Sequence, residues 1–356
     1  MKIGFYLHEL NYRGVAKSTF DYANYNEKIL KNKSFIFYNS TSQDNKKYIK
    51  KKFYKRFKTY PIHNLEEIKK KEKELSFIYF QRAGHKDRLI TGIKNLIHVV
   101  FPYNFLNHYG DRYCYISSWL SKGCSNNKYP YVPLILESFN DKSNLRKLLK
   151  IPSEAIVFGC QGGESSFDLI FVKDAIKNIL KVKNNIYFIF VSIEKFISHP
   201  NVFFLKEVSN INRFINTCDA MIHARSLGEC FGLACGEFAV KNKPIFTFKF
   251  CRQRAHINNY KEKIFLYESY TDIYNKIFNF NKHDTKYHKN FKNIYKPIIV
   301  MKKFDKIFLK NNPRIKKINT IDIVLILSFY FFIFYNYFRF KIYIFFYKLK
   351  SLRNGS

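Results

Sequence analysis

Short apolar and aromatic runs alternate with helix-compatible segments along most of the chain, and the alternation occurs in two successive series. The first series reads as strand 2–7, helix 14–30 and strand 34–38, with further strands at 76–80, 95–100 and 112–116. It ends near Tyr131-Val-Pro-Leu-Ile-Leu. The second reads as strand 155–160, helix 167–180, strand 186–192, helix 208–217 and strand 219–223, then a further helix and a strand at 243–249. Such alternation predicts two α/β domains, each with a parallel sheet and right-handed crossovers, whose ligands bind outside the carboxyl ends of the strands. The expected boundaries are 1–136 for the first domain, 137–300 for the second and 301–356 for a basic segment and hydrophobic tail.

A chain of 356 residues, 47% hydrophobic, is long enough for two cores of ordinary size. Its 62 basic and 27 acidic residues give a net charge of +35, which attracts polyanions. The abundance of Lys, Asn, Ile, Phe and Tyr is also what AT-rich coding produces, so charge alone identifies no partner. The lysines are dispersed and no nucleic-acid-binding module is present, so a nucleic-acid partner is not expected. The seven cysteines form no Cys-x-x-Cys pair and no zinc-type spacing with histidine. With the start reading as a strand rather than a signal peptide, they are expected to be reduced, buried thiols of a cytoplasmic catalytic portion.

Two segments suggest a membrane. Residues 321–338 form an apolar run of nearly bilayer length, preceded by Lys302, Lys303, Lys306, Lys310, Arg314, Lys316 and Lys317 and followed by Arg339 and Lys341. A C-terminal membrane anchor is expected there. The competing reading is a closing helix packed on the first domain, favoured by Asp322, Ser328 and Asn336 within the run. The other segment is 45–58, in which Ile49, Phe53, Tyr54 and Phe57 would form an aromatic stripe among eight cations. It suits either an anionic membrane surface or packing against a sheet, and packing is preferred.

The chemistry concentrates in Glu229-Cys-Phe-Gly-Leu-Ala-Cys-Gly-Glu237, two carboxylates with seven residues between them. The first should lie in a loop at a strand end and the second inside the following helix. Gly232 and Leu233 should offer backbone N–H groups at a helix N-terminus to sugar or phosphate oxygens. Glycines 14, 162 and 163 permit close approach from two other loops.

The wider segment 219–245, with its strand, Glu-x7-Glu pair, Phe231-Gly-Leu and Lys243-Pro-Ile, resembles the donor-site signature of family 4 retaining glycosyltransferases of GT-B fold. Tyr12-Arg-Gly-Val15, Phe158-Gly-Cys-Gln-Gly-Gly163, Tyr115-Ile-Ser-Ser-Trp-Leu-Ser121 and Tyr131-Val-Pro133 extend the resemblance over residues 1 to about 280. It implies two Rossmann-like domains facing across a cleft, with a hydrophobic helical segment appended. It also implies transfer of a hexose from a nucleotide sugar to a glycan or lipid-linked acceptor, with retention of configuration. Under that resemblance Glu229 and His98 are the catalytic candidates, Glu229 binding sugar hydroxyls and His98 contacting the donor sugar or the leaving group, while Glu237 reads the ribose and Phe231, Gly232 and Leu233 line the donor. Arg225 and His223 border the same loop as diphosphate contacts. Arg82, His85, Lys86 and Asp87 are the acceptor-side candidates.

The sequence departs from that family's pattern where a second-domain Arg and Lys usually neutralise the diphosphate. Cys160 and Ser165-Ser166-Phe167 stand in their neighbourhood, and Arg13 replaces a first-domain glycine, so either Arg13 or Arg225 supplies the cation or donor binding is weak. No Asp-x-Asp occurs, which predicts metal-independent transfer without a cofactor. A catalytically silent sugar-nucleotide binder is the alternative within this fold, and a basic nucleic-acid-binding protein the alternative outside it.

Overall fold

The computed structural model describes residues 1–103, 106, 108–137, 140–208, 210–310 and 317–353. Arg314 and Lys316 of the basic segment lie outside the described residues. The chain divides into two compact units, one of residues 1–135 and 294–329, the other of residues 136–293 and 330–356.

In the first unit the elements run β1 (Lys2–Leu7), α1 (Gly14–Lys28), β2 (Lys33–Asn39), α2 (Lys47–Arg56), β3 (Lys58–Ile62), α3 (Glu67–Lys71), β4 (Phe77–Arg82), β5 (Lys94–Val99), β6 (Arg112–Tyr115) and α4 (Ser118–Ser125). The six strands form one parallel sheet in the order β3-β2-β1-β4-β5-β6. Strands covered on both faces read as continuous apolar runs, and five consecutive residues of β2 are buried. Gly4 allows the close packing of β1, because a Cβ there would lie 2.6 Å from Ile78 Cδ1.

Of the aromatic stripe at α2, Phe53 and the following Phe57 turn inward, whereas Tyr54 is 48% exposed. Phe53 and Phe57 are buried, and the ring of Phe20 on α1 lies 5.2 Å from each. Packing is the reading preferred from sequence, but these two rings pack on helix α1 where the sheet was expected.

The second unit contains β7 (Ile156–Gln161), α5 (Ile170–Leu180), β8 (Ile186–Val191), β9 (Val202–Leu205), α6 (Ile211–Thr217), β10 (Ala220–His223), β11 (Gly228–Glu229), α7 (Leu233–Val240), β12 (Ile245–Phe248), β13 (Gln253–Arg254), α8 (Ala255–Asn259), β14 (Ile264–Tyr267) and α9 (Tyr270–Phe278). Its main sheet is parallel in the order β14-β12-β10-β7-β8-β9, and β11 pairs with β13 in a separate two-residue ladder. Strand order reverses at the β10/β7 neighbours, the position at which open α/β sheets leave a crevice for ligands.

The chain then returns to the first unit with α10 (Pro297–Phe304), opened by a proline that fits the first helical turn. Phe304 stacks on Tyr22 of α1 at 5.2 Å. The boundary drawn from sequence at 300 thus falls within a helix of the first unit. Last comes α11 (Thr320–Arg353), which belongs to the first unit up to Phe329 and to the second from Tyr330. By length and composition it is apolar enough to cross a membrane, yet one of its faces is covered by protein.

Candidate donor site in the second unit

Glu229 sits beyond the carboxyl end of β10, held in the two-residue ladder of β11 with β13. The chain reaches it through Gly228 at φ 68, where a Cβ would lie 2.0 Å from the Gln253 carbonyl oxygen. Only glycine fits such a turn without strain. Gly232 occupies the N-cap of α7 at φ 83, and a Cβ there would lie 2.7 Å from His256 Cβ. The first-turn N–H groups of α7, beginning at half-buried Leu233, therefore open beside Glu229.

The charge of Glu229 is fixed by two neighbours. Arg225 Nη1 donates to its Oε1 at 2.7 Å, and His223 Nε2 lies 3.5 Å from the same oxygen. Burial alone pushes this carboxyl up, but the His223 hydrogen bond and the Arg225 guanidinium prevail and hold it at about 2. An ionised carboxylate only accepts, so His223 Nε2 carries a proton toward it, while His223 Nδ1 shares a 2.8 Å hydrogen bond with Thr247 Oγ1. Thr247 Oγ1 is in turn hydrogen-bonded to His256 Nε2 at 3.0 Å. The relay joins β10, β12 and α8 behind the carboxylate.

Glu237 projects from α7, and the side-chain amide of Gln161, at the end of β7, donates to its Oε2. The next two residues, Gly162 and Gly163, are exposed, and a Cβ at Gly163 would meet nothing within 4 Å. Asp168 steadies the loop before Glu229, accepting from Ser226 N at 2.7 Å and Ser226 Oγ at 2.5 Å. The structure therefore brings Gly162, Gly163, His223, Arg225, Glu229, Gly232, Leu233 and Glu237 to one end of one sheet. Gln161, Asp168, Thr247 and His256 join them without having been singled out from sequence. Gln161 had a signal, its place directly before two glycines, whereas the others reach the site from separate elements of the fold and leave none.

Other expected contacts lie elsewhere. Phe231 is 2% exposed, packs edge-on against Tyr260 and serves the interior rather than a ligand surface. His98, on β5 of the first unit, is wholly buried. Its Nδ1 pairs with Tyr79 Oη at 2.7 Å and its Nε2 with the Val132 carbonyl at 2.8 Å. Burial depresses its pKa to about 4. The substrate contact expected of His98 thus meets a neutral ring with no exposed atom.

Arg13 precedes Gly14 at the start of α1 and pairs with Glu9 at 3.3 Å and Asp44 at 3.8 Å. Arg82 pairs with Asp87 at 2.5 Å, and His85 stacks on Tyr103. All seven cysteines are buried free thiols.

No protein-family profile matches the chain, and no curated protein matches it in sequence. Solved structures do match in fold. The crystal structure of Anabaena Alr3699/HepE in complex with UDP and glucose aligns with a TM-score of 0.63 at 16% identity, over 85% of this chain and 98% of that one. A glycosyltransferase from Rickettsia africae aligns at 0.58 and 15% identity, over 87% and 99% of the two chains. WaaG, a glycosyltransferase involved in lipopolysaccharide biosynthesis, aligns at 0.55 and 10% identity, over 86% and 100%. The fold is that of the GT-B glycosyltransferases, two parallel-sheet α/β domains with a C-terminal apolar helix added.

Proposed function

We propose that the protein is a glycosyltransferase that moves a hexose from a nucleotide sugar to a glycan or lipid-linked acceptor, with retention and without a metal. The observation that carries this reading is the placement of an ionised Glu229, the α7 N-terminus and Glu237 together at the strand-order reversal of the second unit. HepE, of the same fold, is described with UDP and glucose and with UDP-glucose.

In the proposed complex Glu229 accepts hydrogen bonds from donor-sugar hydroxyls, and the N–H groups following Gly232 meet sugar or phosphate oxygens. Glu237, oriented by Gln161, accepts from the ribose hydroxyls. Arg225 is the cation in direct contact with Glu229, and the diphosphate competes with Glu229 for it. Departure of the diphosphate builds positive charge on the anomeric carbon. The acceptor hydroxyl attacks that carbon from the face the diphosphate leaves, and the departing phosphate oxygen takes its proton. Metal independence is supported by the absence of an Asp-x-Asp in the sequence. His98 has a packing role in this scheme.

The test is a thermal-shift screen of nucleotide sugars followed by product analysis in chelator. A ligand bound only by the folded state raises the melting temperature. A retained anomeric configuration supports the proposal. Failure of every nucleotide sugar to shift the melting temperature overturns it. Binding without transfer or hydrolysis selects the silent binder instead.

A further inference from the structure

Helix α11 is turned the wrong way round for water. Asp322 and Asn336 are 2% and 3% exposed, whereas Phe331, Phe334 and Phe345 are 69%, 63% and 60% exposed. At about 100° per residue these are two opposite stripes. One contains Asp322, Ile326, Ile333, Asn336, Tyr343 and Tyr347, three, four or seven residues apart, and packs on protein. The other contains Val324, Phe331, Phe334, Phe338, Ile342 and Phe345 and is bare.

The covered stripe is tied down by polar contacts. Within the first unit Asp322 accepts from Asn126 Nδ2 at 2.8 Å and pairs with Lys128 at 3.0 Å, while Phe329 packs on Trp119. Within the second, Tyr347 Oη donates to Asp174 at 3.0 Å, and Tyr343 Oη accepts from the Tyr270 backbone N–H at 3.2 Å. A helix crossing a bilayer would have to give up these bonds. A bare stripe some 38 Å long, from Val324 to Leu349 at about 1.5 Å per residue, instead suits a helix lying along a surface.

Charge identifies that surface. Lys341 and Lys348 are exposed along one border of the bare stripe, and Arg339 and Lys350 along the other. No acidic residue occurs between 323 and 353. A second copy of this helix would bring only more cations to those borders, whereas anionic headgroups neutralise both rows while the acyl region takes the aromatic stripe. We infer that α11 is an in-plane membrane-docking helix, which seats its Phe331–Phe334–Phe338–Phe345 stripe in an anionic lipid surface without crossing the bilayer.

The experiment is flotation of the full chain with vesicles of phosphatidylcholine alone or mixed with phosphatidylglycerol, beside the triple variant Phe331→Ser, Phe334→Ser, Phe338→Ser. These side chains are exposed, so an unchanged melting temperature shows that the fold persists. The inference predicts binding to the anionic vesicles, weakened at least about tenfold in the variant. Absence of binding, equal binding to neutral vesicles, or an unaffected triple variant overturns it. So does self-association that the triple variant abolishes in the absence of lipid binding. Depth separates lying from crossing. Tryptophan placed in turn at 331, 338 and 345, with Trp119→Phe removing the native signal, should be quenched by brominated lipids at one common depth of about 5–10 Å. A depth that changes progressively across the bilayer from 331 to 345 overturns the in-plane placement.

Discussion

Arg225 Nη1 lies 2.7 Å from Glu229 Oε1, four residues further along the same loop. With His223, this pair keeps the carboxylate charged, and the Arg225 side chain remains part-exposed beside it. Under the proposed function the same contact links the acid response of the fold to the affinity for the donor phosphate.

The acid response has a definite sign. Glu229 titrates at about 2 when folded and near 4.5 in the unfolded chain. A depressed carboxylate contributes stability that is complete above the unfolded value and is lost as pH falls toward the folded one. Glu229→Gln should therefore remove about 2–3 kcal/mol of the stability difference between neutral pH and pH near 2. Urea unfolding of both proteins at the two pH values measures it, and an unchanged pH dependence contradicts the assignment.

Arg225→Ala should raise the donor dissociation constant about tenfold or more if the guanidinium holds the diphosphate. Calorimetric titration with the nucleotide sugar identified by thermal shift gives the number. An unchanged affinity removes Arg225 from the phosphate site.

His98 should behave as part of the core. Its folded pKa of about 4 lies below the ordinary 6.5, so it favours the folded state fully above 6.5 and less as pH falls through that window. His98→Leu leaves the Val132 carbonyl unpaired and should cost about 1–3 kcal/mol. Donor affinity of the folded protein should stay within about twofold. A large loss of affinity without loss of stability would return His98 to the site.

Gly228→Ala tests the turn that presents Glu229. The added methyl meets the Gln253 carbonyl at a backbone angle that alanine tolerates poorly. The expected cost is about 1–3 kcal/mol, together with weakened donor binding. Wild-type melting and affinity would show that the β11/β13 ladder does not position the carboxylate.

Much of the architecture was legible because a parallel strand buried on both faces has to be apolar throughout. The reading of 34–38 fell within β2, and that of 2–7 coincided with β1. β3, read as Lys-Thr-Tyr-Pro-Ile, escaped notice because an edge strand tolerates lysine and proline. Two helices began later than their apolar pattern suggested. Phe167 is spent on the core, its ring 5.0 Å from Phe190 and 5.6 Å from Phe196, and α6 waits for its Asn210 cap. At the site, Glu229 and Glu237 were visible because one loop and one helix carry both. The partners of His223 were not, since Thr247 and His256 reach it only through the neighbouring strand β12 and helix α8.

The central claim is that the second unit reads a nucleotide sugar, with Glu237 on the ribose. The most direct measurement compares the dissociation constants of the ribonucleotide and deoxyribonucleotide forms of the bound donor for wild type and Glu237→Ala. A wild-type preference for ribose of about tenfold, erased by the substitution, is the predicted result. Equal affinities of wild type for the two forms would contradict the account.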